Sequence, residues 1–199
     1  MIKIILFDLG NVLIKIDFDA FWKSLGLSAN EISYYKESYA KITRQYEKGL
    51  ISTEEYLRNL RLKFDNRFSE KRIAGAFESI MQTPVEGANE FLSKILKKYH
   101  IAVASNTNEL HFRKVSEEYQ EIIKSFRDYY LSYKLNVMKP DRKFYEYILR
   151  DKKIEPEQIL LIDDIYENVD GAIKVGMKGI VFENYEKLMK VIKQYGIHI

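Results

Sequence analysis

Four short apolar runs rich in β-branched residues constrain this chain most: Ile2 to Phe7, Ile101 to Ala104, Ile159 to Ile162 and Gly179 to Phe182. None alternates apolar with polar residues. They therefore read as strands of a parallel sheet covered on both faces. A weaker run lies near Tyr129 to Leu131. Segments of helical period fill the later gaps: Val85 to Tyr99, Glu109 to Ser125, Pro140 to Lys152 and Asn168 to Val175. Pro140 suits a first helical position and Gly176 a C-terminal stop. The alternation predicts an α/β fold, a doubly wound, Rossmann-like parallel sheet.

One gap is too long for a simple crossover. Ser105 lies 97 residues beyond Asp8, where a crossover needs about a dozen or more residues. The excess has helical character. Ser28 with Glu31, and Ser52 with Glu55, are capping-box spacings. Between them Ile32, Tyr35, Tyr39, Ile42 and Tyr46 recur at steps of three and four, one helix face, and Gly49 ends that helix. The expected organisation is a core of residues 1–15 and 85–199, with residues 16–84 inserted as a small helical cap.

Composition narrows the functional classes. The chain has no cysteine, which excludes disulfides, thiolate metal sites and a Cys nucleophile. Its formal net charge is +3, too balanced for nucleic acid to be the expected partner. No apolar run approaches a membrane span. The first run meets Asp8 at once, unlike a signal peptide, so a cytoplasmic location is expected.

Ligands of open α/β sheets bind beyond the carboxyl ends of the strands. The residues there are polar in every case: Asp8-Leu9-Gly10-Asn11-Val12, then Ser105-Asn106-Thr107-Asn108, then Lys139 before Pro140, then Asp163-Asp164 with Asn168. In this order, with a helical insertion between the first two, the motifs resemble those of the haloacid dehalogenase-like hydrolases, most of which are Mg²⁺-dependent phosphatases. The stretches Phe7 to Val12, Ser105 to Asn108, Asp163-Asp164 and Glu47 to Ser52 are most similar to the α-D-glucose-1-phosphate phosphatase group. That group in turn resembles the phosphatase-like domain of soluble epoxide hydrolases.

The resemblance implies that Asp8 attacks phosphorus and becomes an aspartyl-phosphate, splitting hydrolysis into two steps. Alone, an Asp here would read as a turn cap before Gly10. Attack of one anion on another needs a cation between them, and Mg²⁺ takes oxygen ligands. Asp8 and Asp164 would hold it, with the Gly10 carbonyl added by the family pattern. Asp163 would be a direct or outer partner and Asn168 an orienting group. Lys139 would neutralise the site and hold the phosphoryl group. Ser105 and Asn106 would bind phosphate oxygens through the hydroxyl and backbone N–H groups; as readily, they cap the next helix.

One position departs from the pattern. Most phosphatases of this superfamily carry a second Asp two residues after the nucleophile, as general acid and base; here it is Gly10. Losing a general acid costs roughly 10²–10⁴-fold. A sugar 1-phosphate would tolerate the loss, because its anomeric oxygen leaves more readily than an ordinary alkoxide; alternatively Asn11, Asp17 or a water supplies the proton. The expected activity is Mg²⁺-dependent hydrolysis of a small phosphomonoester, a sugar phosphate such as glucose 1-phosphate. The alternatives are a degenerate sugar-phosphate-binding regulator and a haloacid dehalogenase; the acidic pair Asp163-Asp164 argues against the last. The implied partner is a small phosphorylated molecule, not nucleic acid or membrane. Tyr35, Tyr39 and Tyr46 of the cap read as packing residues, and His100, His111 and His198 are widely spaced, show no metal-ligand pattern and carry no expected catalytic role.

Overall fold

The computed structural model describes residues 1–198. Strand β1 (Ile4–Phe7) is followed by the short β2 (Ile14–Ile16). Four helices follow: α1 (Asp19–Leu25), α2 (Ala29–Glu47), α3 (Thr53–Lys63) and α4 (Glu70–Glu78). Strand β3 (Met81–Pro84) then leads to α5 (Ala88–Ile95). The remainder alternates: β4 (His100–Ser105), α6 (Glu109–Glu118), α7 (Gln120–Ile123), β5 (Asp128–Leu131), α8 (Ser132–Leu135), α9 (Arg142–Lys152), β6 (Ile159–Asp163), α10 (Tyr166–Lys174), β7 (Lys178–Val181) and α11 (Tyr185–Val191).

Five strands form one parallel sheet in the order β5-β4-β1-β6-β7. This is the α/β, Rossmann-like arrangement that the apolar runs predict. The strand order reverses at β1, and that switch point is where α/β sheets bind ligands. The register is tight there, with Phe7 opposite both Val103 and Ile162. One face of the sheet packs Ile5, Phe7, Val103, Leu160 and Ile162 against α5 and α11. The other packs Leu6, Ala102, Ala104 and Leu161 against Phe144, Tyr145 and Ile148 of α9. Both faces being covered is why these strands read as unbroken apolar runs.

The helical unit has its own interior, formed by Phe21, Trp22, Tyr46, Tyr56, Phe64, Ile73 and Phe77. Tyr46 stacks on Tyr56 at 4.3 Å and Tyr39 on Phe21 at 4.6 Å, so the tyrosine face of α2 turns inward. Capping boxes at Ser28/Glu31 and Ser52/Glu55 open α2 and α3.

Two local details differ from the sequence-based expectation. The chain enters and leaves the helical unit through an antiparallel ribbon, β2 with β3, in which Ile14 faces Pro84 and Ile16 faces Met81. Strands of three and four residues are too short to carry a period-two signal. Pro140 also does not begin its helix. Asp141 is the N-terminal capping residue, its carboxylate accepting from the Lys143 N–H at 2.9 Å, and α9 starts at Arg142. Pro140 instead belongs to the loop that carries Lys139. Among the described residues, no helix is long and apolar enough to cross a membrane.

Candidate active site

Asp8 stands one residue past β1, its N–H still in the ladder through Ile162 O at 2.9 Å. Ala104 and Asp163 stand at the same level on β4 and β6. Lys139 spans all three strands. Its Nζ donates to Asp8 Oδ1 at 2.9 Å, to Asp163 Oδ2 at 2.5 Å and to the Ala104 carbonyl at 2.5 Å. An ammonium has three donors, and all three are used. Its side chain is wholly buried, so these bonds are what keep a charge there.

Lys139 is held from behind by Asn106. The Asn106 amide accepts from the Lys139 N–H at 2.8 Å and donates to the Lys139 carbonyl at 2.9 Å. The Asn106 side chain is thus a clamp on the lysine loop. Ser105 ends β4 and is buried. Asn108 caps α6, accepting from the His111 N–H at 3.0 Å.

The two adjacent acids have unlike surroundings. Both oxygens of Asp163 are engaged, Oδ1 by the Ile165 N–H and Asn168, Oδ2 by Lys139 and Asn168. Asn168 is itself steadied by Tyr145, whose hydroxyl donates to its carbonyl at 2.6 Å. Asp164 is half-buried and meets Asn11, whose amide donates to Oδ2 at 3.1 Å. Asn11 adopts a left-handed backbone conformation (φ 52°), one that Asn tolerates better than most residues. Its Oδ1 accepts from the Ile16 N–H at 3.1 Å. Asn11 therefore links the loop after Asp8, Asp164 and the entry to the helical unit. Asp17 turns away, accepting from the Asp19 N–H and facing Lys23 at 3.5 Å.

Carboxylate oxygens of Asp8, Asp163 and Asp164 all lie within 4.8 Å of one another. Three carboxylates face one ammonium, a local excess of negative charge. Burial raises the Asp8 carboxyl, Lys139 opposes this, and Asp163 and Asp164 add to the rise, which reaches about 6. Asp164 is likewise raised, by burial first and by Asp163. Burial works against the charge on Lys139, but Asp8 and Asp163 outweigh it and its pKa is raised. A hard divalent cation would relieve the excess, and an all-oxygen donor set suits Mg²⁺. The residues present fit such an ion.

The helical unit reaches the same loops. Tyr46 Oη accepts from the Leu110 N–H at 3.2 Å. Ser132 donates to the Glu47 carbonyl at 2.6 Å, and Asn136 to the Lys48 carbonyl at 3.0 Å. Gly49 makes this approach possible. A Cβ there would lie 2.0 Å from the Tyr133 carbonyl, and φ is +64°, so glycine both ends α2 and lets the turn lie on α8. The docking role had no separate sequence signal, because helix ends also favour glycine.

Comparisons with known proteins agree with this geometry. A family model described as haloacid dehalogenase-like hydrolase matches residues 2–176. A D-ribitol-5-phosphate phosphatase of Bacteroides thetaiotaomicron is 28% identical over 193 residues, covering 92% of this chain and 93% of that protein. A flavin mononucleotide hydrolase of Arabidopsis thaliana is 25% identical, over 100% of this chain and 79% of that protein. Among solved structures, a HAD family enzyme of Bacteroides thetaiotaomicron in complex with magnesium and inorganic phosphate superposes with a TM-score of 0.82. It is 27% identical over 94% of this chain and 99% of that one.

Proposed function

The chain belongs to the haloacid dehalogenase-like hydrolases, and on that premise we propose that it is a Mg²⁺-dependent phosphatase acting on a small sugar phosphate, with Asp8 as nucleophile. The buried cluster of Asp8, Lys139 and the acidic pair at the switch point carries this reading. Asp8 Oδ1 is held by Lys139, so Oδ2 is the oxygen that attacks phosphorus. Lys139 lowers the repulsion between the carboxylate and the phosphoryl group, and fixes Asp8 against rotation. The Ser105 hydroxyl and the main chain of Asn106 bind phosphoryl oxygens. Asp8, Asp164 and the Gly10 carbonyl would hold Mg²⁺. The ion supplies charge neutralisation between nucleophile and phosphate. The oxygens of Asp163 are occupied by Lys139, Asn168 and the Ile165 N–H, which supports an orienting role for it.

Phosphatases of a pentitol phosphate and of a flavin nucleotide among the relatives support a phosphorylated polyol or sugar as substrate. Glucose 1-phosphate is the sharper candidate, because its leaving oxygen suits a site with glycine at position 10. The acidic pair favours this chemistry over dehalogenation. Gly10 is the observation that favours the alternative, a sugar-phosphate-binding protein with little turnover. A panel of phosphorylated sugars, with and without Mg²⁺, decides between them. Metal-dependent phosphate release that disappears in Asp8→Asn is expected; tight binding without release would instead establish the binder.

A further inference from the structure

A second cleft lies apart from the cluster at Asp8. It opens between α5, α11 and the ribbon that enters and leaves the helical unit, and encloses about 650 Å³, a size that suits a small ligand. None of the residues around it belongs to the candidate active site. Its floor is apolar, formed by Val85, Phe91, Tyr185 and Met189. The loop that follows Asp8 fixes this floor from behind. Tyr185 Oη donates to the Val12 carbonyl at 2.9 Å, and the Val85 N–H donates to the Leu13 carbonyl at 2.9 Å. Phe91 and Tyr185 rest on each other, their ring centroids 5.1 Å apart. Gly87 brings the start of α5 against the same wall: its φ is +86°, and a Cβ there would lie 3.1 Å from Tyr185 Cβ. The cleft is therefore built before a ligand arrives, and little ordering is left to oppose binding.

The rim is charged, and its charges differ in their partners. Glu90 is paired with Lys94 at 2.7 Å and Glu186 with Lys190 at 2.7 Å. Lys15 of β2 and Glu86, between β3 and α5, are exposed and have no ion-pair or hydrogen-bond partner among the described residues, each other included. One unpaired cation and one unpaired carboxylate thus flank an apolar floor. A purely apolar occupant would shield both charges from water and pair neither. A simple anion would meet Lys15 but also Glu86, and a simple cation the reverse. A molecule with an apolar body and one charge of each sign satisfies floor and rim together. Because Lys15 and Glu86 do not touch, its two charges must be set apart. A di- or tripeptide sets its ends apart by its backbone, about 3.3–3.6 Å per extended residue.

We propose that this cleft is a second ligand site, which takes a short zwitterionic peptide with apolar side chains, its ammonium at Glu86 and its carboxylate at Lys15. The site is independent of the phosphatase reading. Leucylphenylalanine titrated into isotope-labelled protein, followed through the amide NMR signals, tests it. The largest shifts should be saturable and fall on Glu86, Gly87, Phe91 and Tyr185. Acetylating the amino end, or amidating the carboxyl end, should each weaken binding about two- to fivefold, the worth of an exposed ion pair. Glycylglycine, which has both charges and no apolar body, should give no saturable shift. Glu86→Gln should erase the difference between free and acetylated peptide and keep that between free and amidated; Lys15→Met should do the converse. Both side chains are exposed, so the variants should keep the native spectrum. Equal affinity for free, acetylated and amidated peptides overturns the proposal, as does discrimination that survives both variants or binding of glycylglycine as tight as that of leucylphenylalanine. Largest shifts at Ser105 and Lys139, or no saturable shift up to about 10 mM peptide, overturn it too.

Discussion

The sheet core and the helical unit are packed from different materials. The core interior around β1 is mostly aliphatic, with Ile5, Leu6, Val103, Leu160 and Ile162 at its centre and Phe7 the one ring that β1 contributes. The interior of the helical unit is aromatic, with Phe21, Trp22, Tyr46, Tyr56, Phe64, Phe68 and Phe77 in mutual contact. Covered parallel strands favour compact β-branched side chains. Four helices enclose little volume, and large rings fill it with few residues. The consequence is functional. Backbone ladders set the site residues of the core to the register of three strands, whereas the helical unit meets the core through side-chain contacts: a few hydrogen bonds, the close approach at Gly49, and the packing of Phe77 on His111 and of Leu110 in the aromatic cluster.

The largest effect is expected at the ion cluster of the core. Lys139→Met should lower stability by about 3–5 kcal/mol, because it leaves two buried carboxylates without their cation; urea denaturation measures it. A loss below about 1 kcal/mol would mean that the cluster is a functional feature with no structural role. Phe77→Ala should cost a similar or slightly smaller amount, about 3–4 kcal/mol, but in the other region. Phe77 packs on Tyr56 at 4.9 Å and His111 at 4.1 Å. Trp22 is the single tryptophan and lies in the same cluster. Its fluorescence should therefore report unfolding of Phe77→Ala at lower urea than far-UV circular dichroism does. Coincident curves would show that the two regions unfold as one unit.

A pH effect probes the seam between them. His111 of α6 contacts Asn108 and the Phe77 carbonyl. Burial depresses its pKa from 6.5 to about 4. Between those values the unfolded chain binds a proton that the native state does not, so stability falls as pH falls from 6.5 towards 4. The full loss from this group is about 3 kcal/mol at the acid end, and about 2 kcal/mol at pH 5. His111→Gln should lose that component of the pH slope, read from urea midpoints at pH 7 and 5. The smallest effect is expected at the start of α3. Ser52→Ala removes the acceptor for the Glu55 N–H and should cost about 1 kcal/mol, with no change in the core.

The sequence was legible where one physical signal dominates. Buried parallel strands carry unbroken apolar runs, so β1, β4 and β6 could be read directly, and with them the places of Asp8, Ser105 and Asp163. Capping boxes marked α2 and α3. The start of α9 was misread because Pro140 and Asp141 both suit a helix N-terminus, and the capping carboxylate of Asp141 prevailed. The clamp of Asn106 on Lys139 spans 33 residues, and no local pattern encodes it.

By itself, then, the order of residues determined the α/β class, the identity of the acids and the lysine, and the absence of a carboxylate at position 10, since each follows from side-chain type and spacing. Only the tertiary structure decided which oxygen of Asp8 Lys139 leaves unbound, that both oxygens of Asp163 are engaged while Asp164 meets Asn11 alone, and that Ile16 lies against Gly10. Those facts depend on Ångström-scale distances between segments far apart in the chain, which packing sets and local propensity does not.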